Sequence, residues 1–269
     1  MKILNKRKDG YHNLHSLFVE LTLFDELIFT SSSKFKLGTN FINNTQLPLD
    51  NTNLISRAYA LMHQEPRSVL SEYAIHLKKM IPLGSGLGGG SSNAATTLKA
   101  LNELWGLNYS LNKLADLGAK LGADVPFFIR GGFQLVEGIG EKLTPQDDHV
   151  LRGLYFLLII PPFHISTAEA YKSLNKPLCS TGSHSKFPTV SKPVNWQLFD
   201  NDFAKVIRKT YPEIDDIKEN LQGAGALFAD LSGSGSTVFG IFDNLKTAEL
   251  IQGNFPRYQT FLPSPVFHS

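Results

Sequence analysis

The sequence predicts a mixed α/β chain in two parts. A strand, a glycine-rich loop and a helix follow one another between Tyr73 and Trp105, and a second run of strand and helix patterns begins near Arg152. With 269 residues, 42% of them apolar, the chain can build one large domain or two smaller ones around a sizeable core. The expected parts are 1–150 and 151–269.

Ser16–Thr30 is rich in Val, Leu, Phe and Ile and alternates in part, which favours strands. The polar stretch 31–53 reads as loops, with a short strand at Lys34–Leu37. Asn53–Met62 has a helical pattern that places Leu54, Ala58, Leu61 and Met62 on one face. Tyr73–Met80 is a strand, and Pro82–Gly90 is the glycine loop. A helix follows from Ser91 to Trp105, with Ala94, Ala95, Leu98, Leu101 and Trp105 in its stripe and Gly106 as its stop. Ser110 caps a further helix with Leu111, Leu114 and Leu117 inside. Asp124 stands just before a turn restricted by Pro126.

In the second part, Leu154–Ile160 is a buried strand halted by Pro161 and Pro162, and Thr167–Leu174 is helical. Residues 175–195 read as a mobile loop, Asn201–Lys209 and Glu213–Gln222 as helices, and Leu227–Phe242 as strand, glycine turn and strand.

Composition removes several function classes. A net charge of +2 is too balanced for a nucleic-acid binder, and the basic run Lys2–Gly10 is accounted for by a solvated strand end. The longest apolar stretch, Leu154–Phe163, is too short to span a bilayer. One cysteine, Cys179, permits no internal disulfide and fits a reducing compartment; a cytoplasmic protein is expected, monomeric or weakly dimeric.

The loop IPLGSGLGGGSSNAA carries glycine at 84, 86, 88, 89 and 90. So many glycines cost conformational entropy, and a run this dense points to a backbone that comes close to a ligand. The P-loop pattern is absent because no lysine follows the glycines. Gly84, Gly86 and Gly89 satisfy G-x-G-x-x-G, but no acidic residue stands at the end of a second strand where a dinucleotide fold needs one. A glycine turn without a ligand is the plain alternative. The remaining reading is a phosphate cradle, in which N–H groups of the loop and the first helical turn converge on an anion. Ser91 and Ser92 add hydroxyls suited to a phosphate oxygen or a Mg²⁺-bound water, though both would also serve as helix caps.

Pro82–Ala95 (PLGSGLGGGSSNAA) resembles the nucleotide-binding motif of the GHMP kinases. DGYHNLHSLF at Asp9–Phe18, LGADVPFF at Leu121–Phe128, EGIGEKL at Glu137–Leu143 and LSGSGSTVFG at Leu231–Gly240 are similar, in the same order, to those members that act on a cytidine-diphosphate-linked alcohol. The resemblance covers essentially the whole chain. It implies a ribosomal-protein-S5-like N-terminal domain, a ferredoxin-like C-terminal domain, and a substrate bound across the domain cleft. The implied activity is transfer of the ATP γ-phosphoryl group, with Mg²⁺, to the 2-hydroxyl of 4-diphosphocytidyl-2-C-methyl-D-erythritol, a step of non-mevalonate isoprenoid precursor synthesis.

The same resemblance implies residue roles. Asp124 takes the place of the catalytic base, although a helix-capping aspartate is the competing account. Pro82, Gly84, Gly86, Leu87, Gly88, Gly89, Gly90, Ser91 and Ser92 would hold ATP. Asn53 and Lys79, with Lys78 nearby, would lie on the adenine side, or else serve as an N-cap and solvated strand ends. Tyr11 and His12 match the pair that recognises the cytosine ring, and Tyr171 the second aromatic, unless it packs inward. Gly233, Ser234 and Gly235 match the loop near the substrate's phosphates, or a simple hairpin turn. No residues are assigned as metal ligands. One departure stands out. The family's first strand, of the type P-A-K-x-N, whose lysine pairs with the catalytic aspartate and the transferring phosphoryl group, would lie before residue 1. Lys2 and Lys6 fall at the wrong positions to replace that lysine, so the expectation is a true start about 10–20 codons upstream, the length of a strand with a short lead. A GHMP kinase for another alcohol and a nucleotide-binding protein without catalysis are the rival readings.

Overall fold

The computed structural model describes residues 1–40, 47–64, 71–174 and 186–268. In chain order, β1 (Lys2–Lys6), β2 (His12–Val19), β3 (Glu26–Ser32) and β4 (Lys36–Thr39) precede α1 (Leu54–His63), β5 (Glu72–Lys78), α2 (Gly89–Leu104), α3 (Leu111–Ala119) and α4 (Val125–Arg130). There follow β6 (Phe133–Gly138), β7 (Lys142–Pro145), β8 (Tyr155–Ile160), α5 (Thr167–Ser173), α6 (Asp202–Ile207), α7 (Glu213–Gly223), β9 (Phe228–Leu231), β10 (Val238–Phe242), α8 (Leu245–Gln252) and β11 (Gln259–Phe261).

Two compact units interleave along the chain. One, the helical unit, is Leu23–Leu83 with Gly88–Gly131; the other, the two-sheet unit, is Met1–Thr22, Gly84–Leu87 and Gly132–Ser269. Compactness therefore does not change near residue 150. The cause is a shared core: Ile3, Leu14 and Val136 from the first 150 residues pack with Leu157, Ile159 and Leu231.

In the helical unit, β3, β5 and β4 form a sheet in that order, with β3 antiparallel and β4 parallel to β5. The buried face of α2, made of Ala94, Ala95, Leu98 and Leu101, joins Ile55, Ala58 and Met62 of α1 and Ile75 and Leu77 of β5. Small alanines on α2 let the two helices approach closely, so the start of α2 is fixed by its own core. Asn53 and Ser110 cap α1 and α3 through side-chain oxygens that accept from Ile55 N and Lys113 N.

In the two-sheet unit one antiparallel sheet has the order β1–β2–β6–β7 and the other β11–β8–β10–β9. The latter, with α5 to α7 between β8 and β9 in the chain and α8 between β10 and β11, is the split βαβ arrangement of a ferredoxin-like fold. Residues 156–160 of β8 are all buried, as a central strand covered on both faces requires.

Several sequence expectations shift. The short strand lies at Lys36–Thr39, and α2 begins at Gly89 rather than Ser91, because Gly88 in the left-handed conformation supplies the turn into the helix. Ser91 and Ser92 therefore lie within the first turn and do not cap it. Leu111, expected inside, is the first residue of α3 and 53% exposed. Asp124 precedes a helix rather than a turn, since Pro126 falls at the helix start, where a missing N–H costs nothing. Of the loop expected at 175–195, residues 175–185 lie outside the described residues, Cys179 among them; residues 186–195 carry no helix or strand.

Candidate active site

At the start of α2, Gly88 has φ 69° and the first turn carries no acidic side chain. The opening N–H groups of a helix have no partner within it and form the positive end of its dipole. Asp124 stands beside them. Its Oδ1 accepts a hydrogen bond of 2.8 Å from Ser91 Oγ, and a Cβ built on Gly88 would lie 3.7 Å from its Oδ2. No cap bond from the side chain to α4 is made, which removes the capping account of this aspartate. Burial pushes the Asp124 carboxyl above the ordinary aspartate value, and the Ser91 hydrogen bond pulls against that shift.

Lys79 and Asn53 are engaged with the protein itself. Lys79 Nζ is buried, 2.6 Å from Asp25 Oδ2, and also donates to Ile81 O. Burial lowers its pKa, and Asp25 opposes the shift. Lys78, by contrast, forms an exposed pair with Glu26. The Asn53 side chain donates to Pro48 O at 2.7 Å while its oxygen caps α1.

The glycines divide by physical cause. A Cβ on Gly84 would overlap the His164 ring, one on Gly86 would lie 2.5 Å from Ser232 O and 2.6 Å from Gly235 O, and one on Gly88 would lie 2.6 Å from Phe128 Cζ. All three also have positive φ, so the protein's own backbone demands glycine there. Gly89 is tight against Ile81 and Lys79, whereas Gly90 has room: its Cβ would meet Leu54 Cδ1 at 3.5 Å. Gly90→Ala is accordingly expected to raise stability by about 0.5 kcal/mol through helix propensity while weakening ATP binding several-fold. Denaturant midpoints and an ATP titration check this; unchanged ATP affinity would mean that no ligand approaches Gly90.

In the two-sheet unit, residues 84–87 lie against the loop 232–237. Ser232 Oγ donates to Gly86 O at 3.0 Å and Thr237 N to Ser85 O at 3.0 Å. Asn201 Nδ2 donates to Leu231 O and Gly233 O, and Ser234 Oγ lies 2.8 Å from Thr167 Oγ1. The loop Gly233–Gly235 is thus anchored to α5, α6 and the glycine segment, more than a free hairpin turn would be. Pro82 and Leu87 are half-buried along the glycine segment.

Tyr11 stands on the turn between β1 and β2, 59% exposed, with its N–H bonded to Asp9 and its carbonyl to Arg7 N. His12 stacks on Tyr171 with ring centroids 5.0 Å apart and planes at 25°. Tyr171 in turn meets Phe203 edge-on, so it packs inward on one side while carrying His12 on another. Burial lowers the His12 pKa, and Lys6, its partner across the strands, adds to that effect.

Residues 53–132 match the family model of the GHMP kinases N terminal domain, and residues 186–259 match that of the GHMP kinases C terminal. The 4-diphosphocytidyl-2-C-methyl-D-erythritol kinase of Thermodesulfovibrio yellowstonii is 40% identical over 262 residues, covering 93% of this chain and 88% of that protein. The kinase of the same name from Bacteroides fragilis is 41% identical over 249 residues, covering 90% and 88%. The chain belongs to this kinase family. A crystal structure of a 4-(cytidine 5'-diphospho)-2C-methyl-D-erythritol kinase superposes with a TM-score of 0.76 at 26% identity, covering 99% of this chain and 95% of that one. The homoserine kinase of Cytophaga hutchinsonii, at 20% identity and a TM-score of 0.70, shares the GHMP kinase fold. Within the family frame, the sequence missed Asp25, whose four donors include residues far from it in the chain. No helix among the described residues is long and apolar enough to cross a membrane.

Proposed function

We propose that the chain transfers the ATP γ-phosphoryl group to the 2-hydroxyl of 4-diphosphocytidyl-2-C-methyl-D-erythritol. The observation that carries this reading is the Asp124 carboxylate, bonded to Ser91 and facing Gly88 at the start of α2. The ATP phosphates lie on the N–H groups of that first turn. The Ser91 hydroxyl is a hard oxygen donor of the kind that suits a Mg²⁺-bound water. Ser91 would help to hold the ion through bound water, and the ion would neutralise phosphate charge.

Asp124 accepts the proton of the substrate hydroxyl as its oxygen bonds to the γ-phosphorus and the bond from that phosphorus to the β-phosphate oxygen breaks. ADP and a phosphate monoester leave. Tyr11, His12 and Tyr171 supply aromatic faces and a ring nitrogen for the cytosine, and Gly233–Gly235 lies near the substrate's phosphates.

Because the carboxylate is the active form, kcat/KM falls as pH drops through the Asp124 pKa, which burial sets above the ordinary aspartate value of about 3.9. Ser91→Ala removes a donor that favours the charged form, so the acid limb moves to higher pH. A limb that stays fixed or moves down would contradict the role. The function is tested by assaying ATP-dependent phosphorylation of the cytidine substrate beside homoserine and mevalonate. Transfer to the cytidine compound alone supports the reading, and equal transfer to the others defeats it.

A further inference from the structure

Asp25, just ahead of β3, has a side chain only 1% exposed, yet it gathers four hydrogen bonds. Its Oδ1 accepts from Met80 N at 2.7 Å and Ile81 N at 2.8 Å, and its Oδ2 from Lys79 Nζ at 2.6 Å and Asn93 Nδ2 at 2.9 Å. Three of these donors lie on the chain entering the glycine loop, and the fourth on α2 beyond it. The Lys79 ammonium also lies beneath the helix start, since a Cβ on Gly89 would be 3.2 Å from its Nζ. An ammonium next to the positive end of a helix dipole is unfavourable unless a carboxylate balances it.

We infer that Asp25 is a positioning residue for nucleotide binding: it ties the segment 79–81 and Asn93 into one frame that sets the aim of the N–H groups of residues 88–91. Its four bonds satisfy a fully buried carboxylate, so the frame is stiff. Lys79 belongs to this frame, its ammonium occupied by Asp25 and the Ile81 carbonyl. The inference rests on the reading that ATP phosphates bind at the start of α2.

The test compares ATP and CDP titrations of the parent protein and Asp25→Asn. The variant is expected to bind ATP at least about 10-fold more weakly, the scale for losing a support of a binding group, while its CDP affinity stays within about twofold. Parallel weakening of both ligands would show a role in fold stability alone and overturn the inference, as would unchanged ATP affinity. Should Asp25→Asn fail to fold, Asn93→Ala removes one arm of the frame and is expected to weaken ATP about threefold with CDP unaffected. No change in ATP affinity there would overturn the inference as well. A parent protein that does not bind ATP would overturn both the inference and the nucleotide reading beneath it.

Discussion

Asp124→Asn is expected to lower turnover by at least about 100-fold, the usual scale for a positioned general base, while ATP and CDP affinities remain near those of the parent. Asparagine keeps the shape of the side chain and can still accept from Ser91 Oγ, so the hydrogen bond at 2.8 Å has a counterpart in the variant. What it cannot do is take the proton of the attacking alcohol. The carboxyl makes no cap bond to α4, so little stability depends on its charge. Burial also raises its pKa, and an asparagine there removes a cost rather than adding one. Turnover within a few-fold of the parent, measured as ADP release at saturating substrate, would exclude Asp124 as the base.

Gly86→Ala is expected to cost about 2–5 kcal/mol of stability, the sum of a left-handed backbone conformation and a steric clash. The residue has φ 77°, and the new Cβ would fall 2.5 Å and 2.6 Å from the carbonyl oxygens of Ser232 and Gly235. Those are backbone atoms, and the loop that carries them is held by Asn201 and by Ser232 Oγ bonding to Gly86 O. Neither side can yield cheaply. Gly90→Ala, only four residues along, should shift the denaturation midpoint in the opposite direction. A Gly86→Ala protein as stable as the parent would contradict the packing of the two glycine segments.

The contrast between Gly86 and Gly90 shows what the sequence could and could not disclose. Five glycines in seven positions signal unusual backbone, but they do not say which are needed for a ligand and which for the fold. Only the neighbours decide, and for Gly86 these lie near residue 235. Local signals were legible: Ser110 caps the helix it was expected to cap, Asn53 fills the N-cap that was the alternative to its adenine-side role, and the unbroken apolar run of β8 became a central strand. Weaker patterns escaped. Helix α8 buries only Ala248 and Ile251 and leaves Leu245 and Leu250 exposed, which leaves little periodicity to detect. Strand β6 ends at Gly138, a short turn containing Gly140 leads to β7, and both are defined by pairing, β6 with β2 as well as with β7. Lys79 reads locally as a solvated strand end because its partner Asp25 stands 54 residues earlier. A buried ion pair between distant segments has no local signature.

The most direct test of the proposed activity is phosphorus NMR of the protein incubated with ATP, Mg²⁺ and 4-diphosphocytidyl-2-C-methyl-D-erythritol. The account predicts equal amounts of ADP and of a new phosphate monoester on the 2-hydroxyl, with the substrate's diphosphate intact. ATP and CDP both bound, with no monoester formed, would contradict it and identify the chain as a nucleotide-binding member of the family without catalysis.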